Sequence, residues 1–239
     1  MRGLILATQF LTRLPTPQLA NFEARELSGS AVWFPLVGCM VGAVAAAAGW
    51  LGAQVDPWLA AFAAMLLWLW VTGGLHADGL CDLTDALAAA HRDPARLLAV
   101  MKEPTVGAFG VMALVALLMG KTILLMLWAN AGVNWLWLPL LAAWARWGAM
   151  VWAKALPPLA AGSGERFAWD LHWRQIALSG VLLAALSLIW APPLLVAPLL
   201  AALWLFYLHR RLGGICGDAL GAGIELVECG LLLAALVVR

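Results

Sequence analysis

From Ala31 to Ala53 the chain runs 23 residues without a charged side chain. That length matches the roughly 20 apolar residues an α-helix needs to cross the hydrocarbon core of a bilayer. The pattern recurs at about 57–75, 105–128, 134–155, 175–191, 192–209 and 219–238. The fifth and sixth stretches meet at Ala191-Pro192-Pro193, which reads as a tight turn between hairpinned helices. The spacing predicts an all-α polytopic membrane helical bundle, one domain over residues 1–239. It has seven spans, or six if one member of that pair is re-entrant. Composition agrees. Of 239 residues, 64% are hydrophobic and 11% charged, against about a quarter charged in a soluble domain. A net charge of +1 offers nucleic acid no bulk attraction.

Residues 1–30 begin "MRGLILATQFLTRLPTPQ". The apolar run is short, Arg13 ends it, and no small-residue cleavage site follows. The segment is therefore expected to be a retained amphipathic piece lying in the membrane interface.

Basic residues test the layout independently, since Lys and Arg accumulate on the cytoplasmic side. Arg2, Arg13 and Arg25 precede the first span; Arg92, Arg96 and Lys102 follow the second. Lys154, Arg166 and Arg174 surround the connection after the fourth, and Arg210 and Arg211 follow the sixth. The opposite connections, "AQVD", "ANAGV" and "APP", hold no Lys or Arg. Eleven of fourteen basic residues thus fall on one face. This predicts a multi-pass protein of the cell inner membrane, with residues 76–104 forming a cytoplasmic loop that bears motifs. Tryptophans 33, 58, 128, 135 and 137 lie at predicted span ends and are expected to anchor in the interface. Cys39, Cys81, Cys216 and Cys229 show neither a disulfide framework nor zinc-ligand spacing.

The chemistry concentrates in "TGGLHADGLCDLTDA", residues 72–86. Asp78, Asp82 and Asp85 stand at i, i+4 and i+7, within roughly 60° of one another on a helix. Like charges on one stripe at a membrane edge repel and are desolvated. A bound divalent cation removes that penalty, and hard carboxylate oxygens suit Mg²⁺ or Mn²⁺. The plainer reading is a solvated acidic first turn at the positive helix N-terminus, which leaves the third aspartate, two turns in, unexplained. His76 and the paired glycines Gly73 and Gly74 come just before the stripe, where bare backbone can approach a phosphate.

A second cluster lies in "GDALGAGIELVE". Asp218, Glu225 and Glu228 share roughly a quadrant of one helical face. Intramembrane carboxylates line polar cavities or hold cations, and Gly217, Gly221 and Gly223 would let a ligand or a neighbouring helix come close. Both clusters fall on the same leaflet. A third element, "MKEPTVGAFG", sets Lys102 before Gly107 and Gly110 at a helix entry, a plausible phosphate grip. Two acidic faces and a lysine at one surface suggest metal-assisted transfer at phosphorus.

These residues resemble one family, adenosylcobinamide-GDP ribazoletransferase, also called cobalamin synthase. The matching pieces are "FLTRLPTP" (10–17), "FPLVG" (34–38), "GGLHADGLCDLTDAL" (73–87), "MKEPTVGAFGV" (101–111) and "GDALGAGIEL" (217–226). The resemblance implies an integral membrane, Mg²⁺-dependent enzyme. In it the ribose 3′-hydroxyl of α-ribazole, or of its 5′-phosphate, attacks the phosphate bonded to cobinamide and expels GMP. It makes Asp78, Asp82, Asp85 and Asp218 the metal and phosphate-site carboxylates, with Asp82, Asp85 and His76 the candidates for the chemistry. Lys102, Gly73, Gly74, Gly107, Gly217 and Glu225 are the candidates for substrate contact. Where the family commonly shows Lys-Asp-Ser, this chain has Lys102-Glu103-Pro104; Pro104 removes a backbone donor and a hydroxyl, which weighs against ligation from that loop.

A CDP-alcohol phosphotransferase would need Ala-Arg after Asp-Gly, but Asp78-Gly79 is followed by Leu-Cys-Asp. A transporter lined by Lys121, Arg146, Glu225 and Glu228 would carry repeat symmetry and midplane acids. Nothing in the sequence sets the oligomeric state, and a homo-oligomer stays open.

Overall fold

Each predicted apolar run lies on a helix in a computed structural model of the chain, which describes residues 2–19, 24–90, 94–101, 103, 105–159 and 170–238. Helix α1 spans Arg2–Leu11 and α2 spans Ala24–Ser30, the latter leading through a 3₁₀ turn into α3, Phe34–Ala53. Next come α4 (Pro57–Thr72), α5 (Leu75–Ala90) and α6 (Pro94–Val100). Then follow α7 (Ala108–Asn130), α8 (Trp137–Ala155), α9 (Trp173–Trp190), α10 (Ala197–Arg211) and α11 (Gly217–Val237). The only β feature among the described residues is an isolated bridge between Pro158 and Ile215.

Five segments, those holding α3, α7, α9, α10 and α11, are long and apolar enough to cross a membrane alone; α4 with α5 makes a sixth, bent by 83°. The chain is a multi-pass helical membrane protein. The missing seventh span is α8. Its buried residues cover nearly its whole circumference, including Arg146, so it meets protein where the others meet lipid. A helix wrapped by its neighbours has no need of a continuous apolar surface.

The tightest packing is between α3 and α8. Gly38 and Gly42 stand four apart on α3, and a Cβ at Gly38 would meet the Ala142 carbonyl carbon at 2.8 Å. Small residues at that spacing let two membrane helices touch backbone to backbone. Helix α4 starts where Asp56 accepts hydrogen bonds from the N–H groups of Trp58 (2.7 Å) and Leu59 (3.3 Å), with Pro57 at the first position. It stops at Gly73 and Gly74, whose φ angles of 63° and 73° are left-handed. Those two residues make the sharp turn into α5.

Two expectations are corrected here. Residues 76–104 are not a loop: α5 and α6 occupy most of the described part, and Ala77, Cys81, Leu83, Ala86 and Ala90 of α5 are buried against neighbouring helices. Trp128 and Trp135 are not interface anchors. Trp128 is fully buried and Trp135 nearly so, both inside the main core. A span end packed against neighbouring helices offers an indole more contact than the lipid interface does. Trp33 and Trp58 remain exposed at their span ends.

Candidate active site

Helix α5 turns sharply away from α4 and runs across the N-terminal ends of α11 and α7. At its first crossing Gly79 lies against Asp218, so that a Cβ there would meet the Asp218 carbonyl oxygen at 2.9 Å. At the second, Asp85 accepts hydrogen bonds from the backbone N–H of Gly107 (2.7 Å) and of Gly110 (2.8 Å). Gly107 is the N-cap of α7 and has no side chain to cap it. Asp85 supplies that cap from another helix, and its charge suits the positive helix end.

Asp82 lies between these crossings, partly buried and within range of the negative charges of Asp78, Asp218 and Asp85. The two acidic clusters of the sequence therefore meet over one small area. Among the described residues no Lys or Arg pairs with Asp78, Asp82, Asp85 or Asp218. Nor, among them, do three His, Cys, Asp or Glu side chains enclose a metal position by themselves.

The deeper acids behave differently. Lys121 of α7 donates to Glu225 at 2.8 Å and also to Glu228, while Arg146 of α8 donates to Glu228. Lys121 lies 4.1 Å from the Trp68 ring centroid. Two cations and two anions balance inside the bundle, which is how such groups persist away from water. Glu225, expected at the substrate, is instead buried and held by Lys121.

His76 extends this network. Its Nδ1 lies 3.3 Å from Arg146 Nη2, and among the described residues nothing pairs with its Nε2. It also lines a cavity of about 170 Å³ between α1, α3, α5, α8 and α11, with Phe10, Phe34, Leu75, Asp218 and Gly221 among its walls. Gly217 lies at the same cavity, one residue before Asp218. The Arg13 side chain lies over Gly73, where a Cβ would come within 2.8 Å of Arg13 Cγ, so Gly73 is covered by a cation. Lys102 falls outside the described residues.

Comparison with known proteins supplies the assignment. Residues 3–236 match the family described as cobalamin-5-phosphate synthase. The chain belongs to that family. Relatives that match over nearly the whole chain carry the name adenosylcobinamide-GDP ribazoletransferase. One from Laribacter hongkongensis is 59% identical over 99% of this chain and 97% of its own. One from Thiobacillus denitrificans is 51% identical over 98% of this chain and 95% of its own. A third, from Novosphingobium aromaticivorans, is 46% identical over 99% and 97%. No solved structure matches the chain.

In this cobalamin-5-phosphate synthase family member, Phe10 and Phe34 line the cavity beside His76, and Arg13 covers Gly73. Phe10 and Arg13 lie in "FLTRLPTP", and Phe34 begins "FPLVG". The signal was present in those two motifs, but only the fold brings them beside His76 and Gly73.

Proposed function

We propose that this chain joins adenosylcobinamide-GDP to α-ribazole, or to its 5′-phosphate, giving adenosylcobalamin or its 5′-phosphate and releasing GMP. It does so at the cytoplasmic face of the inner membrane. One observation carries the reading. Four aspartates crowd one end of the bundle with no ion pair to a Lys or Arg among the described residues, although the acids deeper in the same bundle are paired.

The donor set fits Mg²⁺ or Mn²⁺. Magnesium takes one or two carboxylates and completes its shell with water and substrate phosphate oxygens, so the lack of a three-ligand cage among the described residues suits a metal that arrives with a diphosphate. Asp78 and Asp82 would hold it, and when bound it supplies positive charge against the diphosphate. In the transfer, the ribose hydroxyl oxygen bonds to the phosphorus that carries cobinamide. The bond from that phosphorus to the GMP oxygen breaks, and GMP leaves. The hydroxyl proton passes to a carboxylate, for which Asp218 is best disposed because it borders both the cavity and Asp82. Asp85, tied to Gly107 and Gly110, holds the start of α7 against the site. Arg13 over Gly73 gives a second positive group at this end, and Lys102 serves as a phosphate contact.

The test is direct. Membranes containing the protein, given adenosylcobinamide-GDP, α-ribazole and Mg²⁺, should release GMP and form the cobalamin product in equal amounts. Absence of GMP, with the protein present and folded, contradicts the proposal.

A further inference from the structure

An open groove of about 260 Å³ runs along the outside of the bundle between α10 and α11. Leu200, Leu203, Trp204 and Tyr207 of α10 wall one side, and Leu226 and Val227 of α11 the other. The segments that hold α10 and α11 are long and apolar enough to cross a membrane, so the medium that reaches this groove is lipid. The four α10 positions keep the i, i+3, i+4, i+7 spacing of one helical face. The same face continues to Arg210 and Arg211, and Arg211 falls within about 20° of Leu200 around the helix.

The groove is held in shape by its own residues. Trp204 stacks on Tyr207, with ring centroids 5.1 Å apart and planes 16° apart. The Trp204 indole N–H also donates to the Ala219 carbonyl of α11 at 3.1 Å, which ties the two walls together. Tyr207 is the only tyrosine in the chain, and an exposed tyrosine at a span end sits at headgroup level. One turn further on, the Arg210 guanidinium lies 5.2 Å from the centroid of the Phe206 ring, which keeps it at this end of the helix. His209, Arg210 and Arg211 are all exposed. Among the described residues neither arginine forms an ion pair.

Depth narrows the occupant further. At about 1.5 Å per residue, the stretch from Leu200 to Arg211 is roughly 16 Å long. That is close to half of a hydrocarbon core of roughly 30 Å, the depth of one leaflet. The groove is apolar along that depth and cationic at its mouth.

We propose that this groove binds one anionic phospholipid, with an acyl chain against Leu203, Trp204 and Leu226 and its phosphate on Arg210 and Arg211. A zwitterionic lipid offers the same chain, but its ammonium group meets two guanidinium groups. Each basic residue near the membrane surface favours an anionic headgroup, so charge selects the lipid and the groove fixes where it sits. The site stands apart from the aspartate cluster and does not depend on the transferase reading.

The test is native mass spectrometry of the protein in detergent, titrated with phosphatidylglycerol or with phosphatidylcholine of the same acyl chains. The first phosphatidylglycerol should bind at least about tenfold more tightly than the first phosphatidylcholine. The double variant Arg210→Gln with Arg211→Gln should lose that preference. Leu226→Trp, at an exposed position that fills the groove, should weaken phosphatidylglycerol binding at least about tenfold by displacing the chain. Arg174→Gln removes an exposed arginine from the first turn of α9 and should leave the preference unchanged. Equal binding of the two lipids by unaltered protein overturns the proposal, as does a preference that survives the double variant. A preference that Arg174→Gln lowers as much as the double variant does belongs to the basic surface as a whole and overturns it too. The same spectra report oligomers: a Leu226→Trp protein that binds lipid normally but loses a dimer gives the groove to a second copy of the chain and ends the lipid assignment.

Discussion

Gly79 on α5 lies directly against Asp218 on α11, with room for no more than a hydrogen between them. This contact brings the acidic stripe of residues 78–85 onto the first turn of a helix that begins more than 130 positions later. A methyl group at position 79 would meet both the carbonyl oxygen (2.9 Å) and the Cα (3.0 Å) of Asp218, and backbone atoms cannot swing aside. Gly79→Ala should therefore part the two helices by some tenths of an ångström. Catalysis at a positioned site loses up to about 100-fold from a 1 Å displacement. We expect GMP release to fall at least about tenfold with helical circular dichroism unchanged; normal turnover in a folded Gly79→Ala protein would show that the contact does not set the site.

Asp85 makes a separable prediction, because both its oxygens already serve the N-terminus of α7. Asp85→Ala removes a cap worth about 1 kcal/mol and frees the connection before Gly107. The expected signature is faster proteolysis between residues 101 and 107, together with lost activity. Asp85→Asn keeps one acceptor and should be cut at an intermediate rate. If Asp85→Ala loses activity with no change in proteolysis, Asp85 acts on the substrate and not through α7.

Glu228 answers to both Arg146 and Lys121 inside the bundle. Glu228→Gln leaves Arg146 buried beside a neutral partner, a change that costs about 3–5 kcal/mol where one member of a buried pair is lost. The protein should unfold at clearly lower temperature in detergent. Arg146→Met combined with Glu228→Leu should recover much of that loss, since the unbalanced charge is gone. A Glu228→Gln protein as stable as the parent would mean the pairing is not what holds these helices.

How much of the fold and the site is legible in the sequence depends on whether a feature is local. Apolar runs are local, so every predicted span coincides with a helix. The i, i+4, i+7 spacing of Asp78, Asp82 and Asp85 likewise puts them on one stripe by helical geometry alone. Glu225 and Asp218 stand seven positions apart on one face, and the sequence already sets Asp218 at the mouth of the span and Glu225 about two turns inside it. The fold separates them because Lys121 and Arg146 arrive from α7 and α8 at the depth of Glu225 and Glu228 and not at Asp218. The pairing of Phe10 with Phe34, and of Asp85 with the α7 N-terminus, crosses helices with no periodicity to announce it. Trp128 and Trp135 mislead for a similar reason: position along a span says nothing about which neighbours cover it.

The central claim is that Asp82 and Asp218, from the two clusters, work as one site. Residues acting as a unit lose activity non-additively. The decisive measurement is kcat/KM for GMP release with Asp82→Asn, Asp218→Asn and the double variant, each at saturating Mg²⁺ and each checked for folding. Each single substitution should lower the rate at least about tenfold, given the several kcal/mol that charge stabilisation by a metal supplies, and the double should be little worse than the poorer single. Losses that simply multiply would contradict the account, because they would mean that the two carboxylates act independently.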